Sequence, residues 1–140
     1  MKIRNARHED VDNLVYFMSE LGYPSSNEII EENLSAYGST DGYEVLVAEH
    51  EGKILGCISL HVIKLFHLEG NIGRITSLVV SPNNRGKGVG KALIEAADTF
   101  FKKMGCVRAE VTSADYRQGA HIFYQSHGYV LDSRRFIKHF

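Results

Sequence analysis

The run Arg85-Gly86-Lys87-Gly88-Val89-Gly90 places glycine at every second position between the apolar SLVVSP and the helix-like KALIEAADTFFKKMG. Where a strand ends, turns and starts a helix, unpaired N–H groups point outward at the positive end of the helix dipole, and backbone alone makes an anion site. A side chain there would hold a phosphate away, and Arg85 and Lys87 add positive charge at the same point. The spacing excludes two other phosphate loops. A dinucleotide fingerprint needs glycine where Lys91 stands, and a Walker loop needs Ser or Thr where Ala92 follows that lysine. Upstream, His61, His67 and Glu69 would share one face of an extended segment, but Gly70 points to a turn and the spacing matches no standard ligand pattern. No metal site is expected.

These residues need elements to hold them. Residues 2–7 read as a short strand, and Val11, Leu14, Val15, Met18 and Leu21 recur at helical spacing before Gly22 and Pro24 close the helix. Ser25-Ser26-Asn27-Glu28 has the form of a capping box and predicts a second helix from about Asn27 to Tyr37. EVLVAEH and KILGCISLHVIKL flank Glu51-Gly52 as a β-hairpin, and IGRITSLVV makes the next strand. After the glycines, Val89, Leu93, Ala96, Ala97, Phe100 and Met104 mark one face of a helix that Gly105 ends. RAEVTS reads as a strand; Ala120, Phe123, Tyr124 and His127 mark a shorter helix stopped by Gly128; YVLDSRRFIKHF reads as one or two closing strands. A meander of antiparallel strands with one β-α-β crossover is α+β in class and not doubly wound.

A chain of 140 residues is expected to form a single domain over 1–140. With 16 Lys and Arg against 17 Asp and Glu, the net charge of −1 creates no overall field for nucleic acid or an anionic membrane, so any anion is bound locally. No apolar run approaches the roughly 18 residues that span a bilayer, and MKIRNARHED lacks the apolar core of a signal peptide. A cytoplasmic protein is expected. Cys57 and Cys106 lack CxxC spacing and are expected as buried free thiols.

Arg85-x-x-Gly88-x-Gly90 resembles the pyrophosphate-binding signature of the GNAT superfamily of N-acetyltransferases, and Ala120-x-x-Phe123-Tyr124-x-x-x-Gly128-Tyr129 resembles its second motif, in the same order along the chain. The resemblance implies the GNAT fold, a mixed central sheet flanked by about four helices. It implies acetyl-coenzyme A as cosubstrate, with the pyrophosphate on the amides of Arg85, Gly86, Lys87, Gly88, Val89 and Gly90. The pantetheine arm would lie along the main chain of Leu78, Val79 and Val80 like an added strand. Tyr124 stands where relatives place the general acid for the leaving thiolate, and Arg117 where many carry Asn near the cofactor; Tyr116 and Tyr129 read as packing aromatics. An oxyanion would meet a strand N–H, that of Val80. Many relatives carry a glutamate base on the strand before the loop, where this chain has Arg74, Thr76 and Ser77. The nearest upstream carboxylate, Glu69, or a water relay is therefore assigned that task.

ISLHVIKLFHL, IGRITSLVV, GAHIFYQSHGY and RRFIK are similar to segments of aminoalkylphosphonate N-acetyltransferases, which places the subfamily resemblance in the second half of the chain. The implied activity is acetyl-coenzyme A-dependent acetylation of a primary amine on a small molecule, an aminoalkylphosphonate among the candidates. A non-catalytic acyl-coenzyme A sensor and a protein N-acetyltransferase are the alternatives. The expected partners are acetyl-coenzyme A and the amine, with neither nucleic acid nor membrane, and a homodimer is left open. Arg74, Arg134, Arg135 or Lys138 could meet a substrate anion.

Overall fold

The computed structural model describes residues 1–112, 118–132 and 135–140. Its sheet runs in chain order: β1 (Lys2–Asn5), β2 (Tyr43–His50), β3 (Lys53–Ile63) and β4 (Asn71–Val80) are antiparallel neighbours, and β5 (Cys106–Val111) lies parallel to β4. A parallel pair needs a crossover, and helix α3 (Val89–Lys103) supplies it. Helices α1 (Val11–Leu21) and α2 (Asn27–Ser39) separate β1 from β2, and α4 (Gln118–Ser126) follows β5. The architecture is α+β, a mixed five-stranded sheet with four helices, as the element pattern predicts.

Local chemistry explains the boundaries. Gly22, at φ 100, closes α1 in the left-handed conformation. Ser26 caps α2, its Oγ accepting from the Ile29 N–H at 3.2 Å, while Ser25 donates to the Tyr23 carbonyl; the cap is one residue later than expected, and Ile29 at the third helical position cannot return the bond that would complete a capping box. Between β2 and β3, Glu51 (φ 50) and Gly52 (φ 77) are both left-handed, the conformation of a two-residue hairpin turn.

The sheet is covered on both faces. On one, Leu14 and Phe17 of α1, with Ile30 and Leu34 of α2 beside them, pack on Val47, Cys57 and Val79. On the other, Leu93, Ile94, Ala97 and Phe101 of α3 pack on Ile58, Leu60 and Ile75, and Phe123 and Tyr124 of α4 extend that cluster. Each fully buried aliphatic or aromatic side chain here contributes about 1.5–3 kcal/mol. One ionic group lies within the fold. Asp10, 4% exposed, accepts from the Arg4 guanidinium at 2.7 and 2.9 Å and from the Arg7 N–H at 2.7 Å, and Arg4 also reaches Glu49 at 2.6 Å. Cys57 and Cys106 are free thiols, Cys57 buried in the α1 layer and Cys106 half-buried beside the α3 layer.

The chain's end departs from expectation. Residues 129–132 and 135–140 form no strand, and Val130, Leu131, Phe136 and Phe140 are exposed. Strand propensity makes a strand only where a ladder partner accepts it, and these residues lie on none. Among the described residues, no helix is long and apolar enough to cross a membrane.

Candidate functional site

Strand β5 accompanies β4 only from Asn71↔Cys106 to Ile75↔Val111, whereas β4 stays paired with β3 as far as Gly56↔Val80. From Thr76 to Val80 the outer edge of β4 therefore has no strand beside it among the described residues. Such an edge leaves backbone N–H and C=O groups in need of partners. The opening is a cleft of about 650 Å³, walled by Thr76 to Val80, by the glycine loop and by Ala120, Phe123 and Tyr124 of α4, with Glu20, Leu21 and Tyr23 at the end of α1. Leu78 and Val80 belong to the α3 side of the sheet and Val79 to the α1 side, so the cleft joins the two faces.

The loop after β4 makes a short 3-10 turn at Pro82–Asn84 and then enters α3 through Gly88 as N-cap, which offers no side-chain acceptor. The Ala92 N–H bonds the Gly88 carbonyl at 3.0 Å, which leaves the amides of Val89, Gly90 and Lys91 without an acceptor inside the helix. The glycines have different reasons. Gly86 and Gly88 sit at φ 74 and 85, and a Cβ on either would enter open space. A Cβ on Gly90 would stand 3.0 Å from the Phe123 ring, so this glycine lets α4 approach α3. Arg85 folds back, its Nε donating to the Val80 carbonyl at 3.2 Å.

Of the residues assigned to a cofactor from sequence, Leu78, Val79, Val80, Arg85, Gly86, Gly88 and Gly90 line the cleft. Lys87 and Val89 do not; Val89, the first residue of α3, is buried in the core cluster between that helix and the sheet, and Asn84 and Lys91 also stand on the wall. Arg117 lies outside the described residues, as do Tyr116 and Arg134.

Tyr124 lines the cleft and packs edge-on against Tyr129, ring centroids 5.7 Å apart. The Tyr129 hydroxyl is buried without a hydrogen-bond partner among the described residues; burial first, then the Asp98 carboxylate and Tyr124, push its pKa up to about 12. Tyr129 thus stays a neutral packing phenol at ordinary pH. Glu69 stands elsewhere. It precedes Gly70, whose Cβ position faces Val107 and Gly105, and the Asn71 N–H bonds the Gly105 carbonyl at 3.1 Å. That turn is at the start of β5, whereas the cleft is at its end beside Val111 and Thr112, roughly 20 Å along the strand. Glu69, assigned as base from sequence, is thus not among the residues that line the cleft. Among the described residues that line the cleft, Glu20 is the one carboxylate, and in sequence it lies off the apolar stripe of α1.

His61 does not join a ligand set but stacks on Tyr43, centroids 4.1 Å apart. Among the described residues, no three His, Cys, Asp or Glu side chains gather closely enough to hold a metal ion. A second cleft, of about 640 Å³, lies between α2 and the β1–β2 edge around Glu31, Tyr37 and Tyr43.

The acetyltransferase (GNAT) family matches residues 10–129. Over 141 aligned residues the chain is 30% identical to the aminoalkylphosphonate N-acetyltransferase of Salmonella typhimurium, covering 98% of this chain and 90% of that one. The crystal structure of glucosamine-6-phosphate N-acetyltransferase from Arabidopsis thaliana superposes with a TM-score of 0.85 at 27% identity, covering 99% and 97% of the two chains. A Bacillus halodurans structure described as a transcriptional regulator shares the fold with a TM-score of 0.89 at 20% identity, covering 99% of each chain. The splayed strand and the glycine-capped helix thus sit in a sequence that matches one family over most of its length: the chain belongs to the GNAT family of acetyltransferases.

Proposed function

We propose that the protein transfers the acetyl group of acetyl-coenzyme A to a primary amine on a small molecule, with an aminoalkylphosphonate as the first candidate. The observation that carries this is the continuity of one cleft from the bare edge of β4 to the uncapped N-terminus of α3. The amides of Gly90 and Lys91, with the open backbone at Gly86 and Gly88, receive the diphosphate. The edge of Leu78, Val79 and Val80 takes the amide-bearing pantetheine arm as a strand would. Tyr124, on the facing helix, supplies a phenol proton.

The chemistry balances without a covalent enzyme intermediate. The neutral amine nitrogen bonds to the thioester carbon, the carbon–sulfur bond breaks, Tyr124 protonates the departing thiolate, and the proton shed by nitrogen leaves through water and restores the phenol. A simple alkyl amine with a pKa of about 10.4 is mostly charged at pH 7, so losing its first proton costs roughly 4–5 kcal/mol. β4 carries no carboxylate for this and Glu69 does not line the cleft, so in this reading the proton leaves to water at the cleft's opening, on whose wall Glu20 also stands. The substrate candidate rests on the similarity to the Salmonella enzyme, and the test is thiol release from acetyl-coenzyme A across a panel of amines: 2-aminoethylphosphonate, glucosamine 6-phosphate, an aminoglycoside, a polyamine and amino acids. Fastest release with the aminoalkylphosphonate is expected. Tight coenzyme A binding with no release for any amine would make the protein a sensor instead.

A further inference from the structure

Strand β4 carries an irregularity where the cleft begins. Ser59 of β3 is opposite Ser77 and Leu60 is opposite Ile75, so Thr76 is the extra residue of a β-bulge. Ile75 belongs to the α3 side of the sheet, whereas Cys57, two positions before Ser59, belongs to the α1 side. Ser59 and Ser77 therefore face the α1 side, and the bulge turns Thr76 to the same side. The result is three hydroxyls in contact: Ser59 Oγ is 2.6 Å from Thr76 Oγ1 and 2.5 Å from Ser77 Oγ, and Thr76 Oγ1 is 3.2 Å from the Ser59 carbonyl.

Each hydroxyl has one proton to give. The Ser59 carbonyl can only accept, so Thr76 donates there. Ser59 must then donate to Thr76, which uses its proton, and Ser77 must donate to Ser59. Only this direction satisfies all three contacts together. Its consequence lies at the cleft wall, where Thr76 and Ser77 both stand: their protons are engaged within the cluster, so toward a group in the cleft these hydroxyls can only accept. Glu20, at the end of α1, also lines this cleft. This wall presents acceptors, and an acceptor wall fits a group rich in N–H donors.

We infer that Ser77, Thr76 and Glu20 form the subsite for the amine or ammonium group, with Ser77 Oγ accepting an N–H of the attacking nitrogen. The inference rests on the acetyl-transfer reading above. The hydrogen bond holds the nitrogen without consuming its attacking lone pair. Ser59, which is absent from the cleft wall, is a positioning residue that fixes the direction of the Ser77 hydroxyl.

The test is steady-state kinetics of full-length Ser77→Ala, Ser77→Thr and Ser59→Ala with 2-aminoethylphosphonate, or with whichever amine of the panel the wild type acetylates best. Ser77→Ala should raise the amine KM about tenfold or more, with a smaller change in kcat and no change in the KM of acetyl-coenzyme A. Ser77→Thr, which restores a hydroxyl, should recover most of the loss, and Ser59→Ala should move the amine KM in the same direction by a smaller factor. Thermal unfolding of each variant separates these effects from a damaged fold. A fall in kcat at constant amine KM would overturn the inference, because Ser77 would then be donating to the oxyanion; so would wild-type kinetics in Ser77→Ala. If the wild type releases no thiol with any amine, the acetyl-transfer reading itself fails and this inference falls with it.

Discussion

Tyr124 has a ring that packs against the α3 layer and Tyr129, and a hydroxyl to which the proposed reaction gives the task of protonating the departing thiolate. Tyr124→Phe keeps the first and removes the second. We expect kcat to fall by about 10²- to 10⁴-fold with the KM of acetyl-coenzyme A little changed; equal rates in the two proteins would make Tyr124 a packing residue. The glycines separate in the same way. Gly88→Ala puts a Cβ into the open side of the loop and costs roughly 1–2 kcal/mol at its left-handed φ, so coenzyme A should bind about tenfold more weakly or worse by isothermal titration. Gly90→Ala instead pushes on Phe123, the neighbour of Tyr124, and should lower turnover through α4. The sequence shows the loop because glycine spacing has a backbone cause, and it shows Tyr124 through its motif. It does not show Glu20, whose place depends on how the end of α1 meets the cleft, nor the shared side of Ser59, Thr76 and Ser77, which depends on a bulge that no residue type announces.

At the scale of elements, Asp10 ties the start of α1 to β1 and, through Arg4 and Glu49, to β2. Burial alone would raise the pKa of this carboxyl, but the Arg4 hydrogen bonds and the Arg7 N–H outweigh burial and hold it below the usual carboxylate range. A lowered folded pKa stabilises the protein wherever the unfolded carboxyl is also ionised, above about pH 4, and that contribution is lost as pH falls through the folded value. Asp10→Asn should therefore cost about 2–3 kcal/mol in urea unfolding at pH 7, and the gap between variant and wild type should close in acid; a gap independent of pH would show that charge is not the cause. Most elements were readable from periodicity and caps: α1 ends at its glycine, and the hairpin turns at Glu51-Gly52. The closing strands were not, because alternation and β-branching describe what a strand would look like without supplying the edge it must join.

For the whole molecule, two helical layers enclose a sheet whose fourth and fifth strands part, and the parting opens the cleft. Under the proposed function, a cleft that joins both faces would let the cosubstrate approach from the α3 side and the amine meet the hydroxyls on the α1 side, so the two substrates would not compete for one mouth. The bare edge from Thr76 to Val80 also has a consequence in isotope labelling. In a strand bonded on one side only, successive amides point alternately toward the neighbour and away from it. Dissolved in deuterated water, the free protein should show alternating slow and fast amide exchange along this stretch, a two-residue comb within an otherwise slow strand. Adding coenzyme A should slow the fast members alone, because a pantetheine amide would take the place of solvent at those N–H groups. Protection spread evenly over β4 would mean that the ligand stiffens the sheet without lying along its edge.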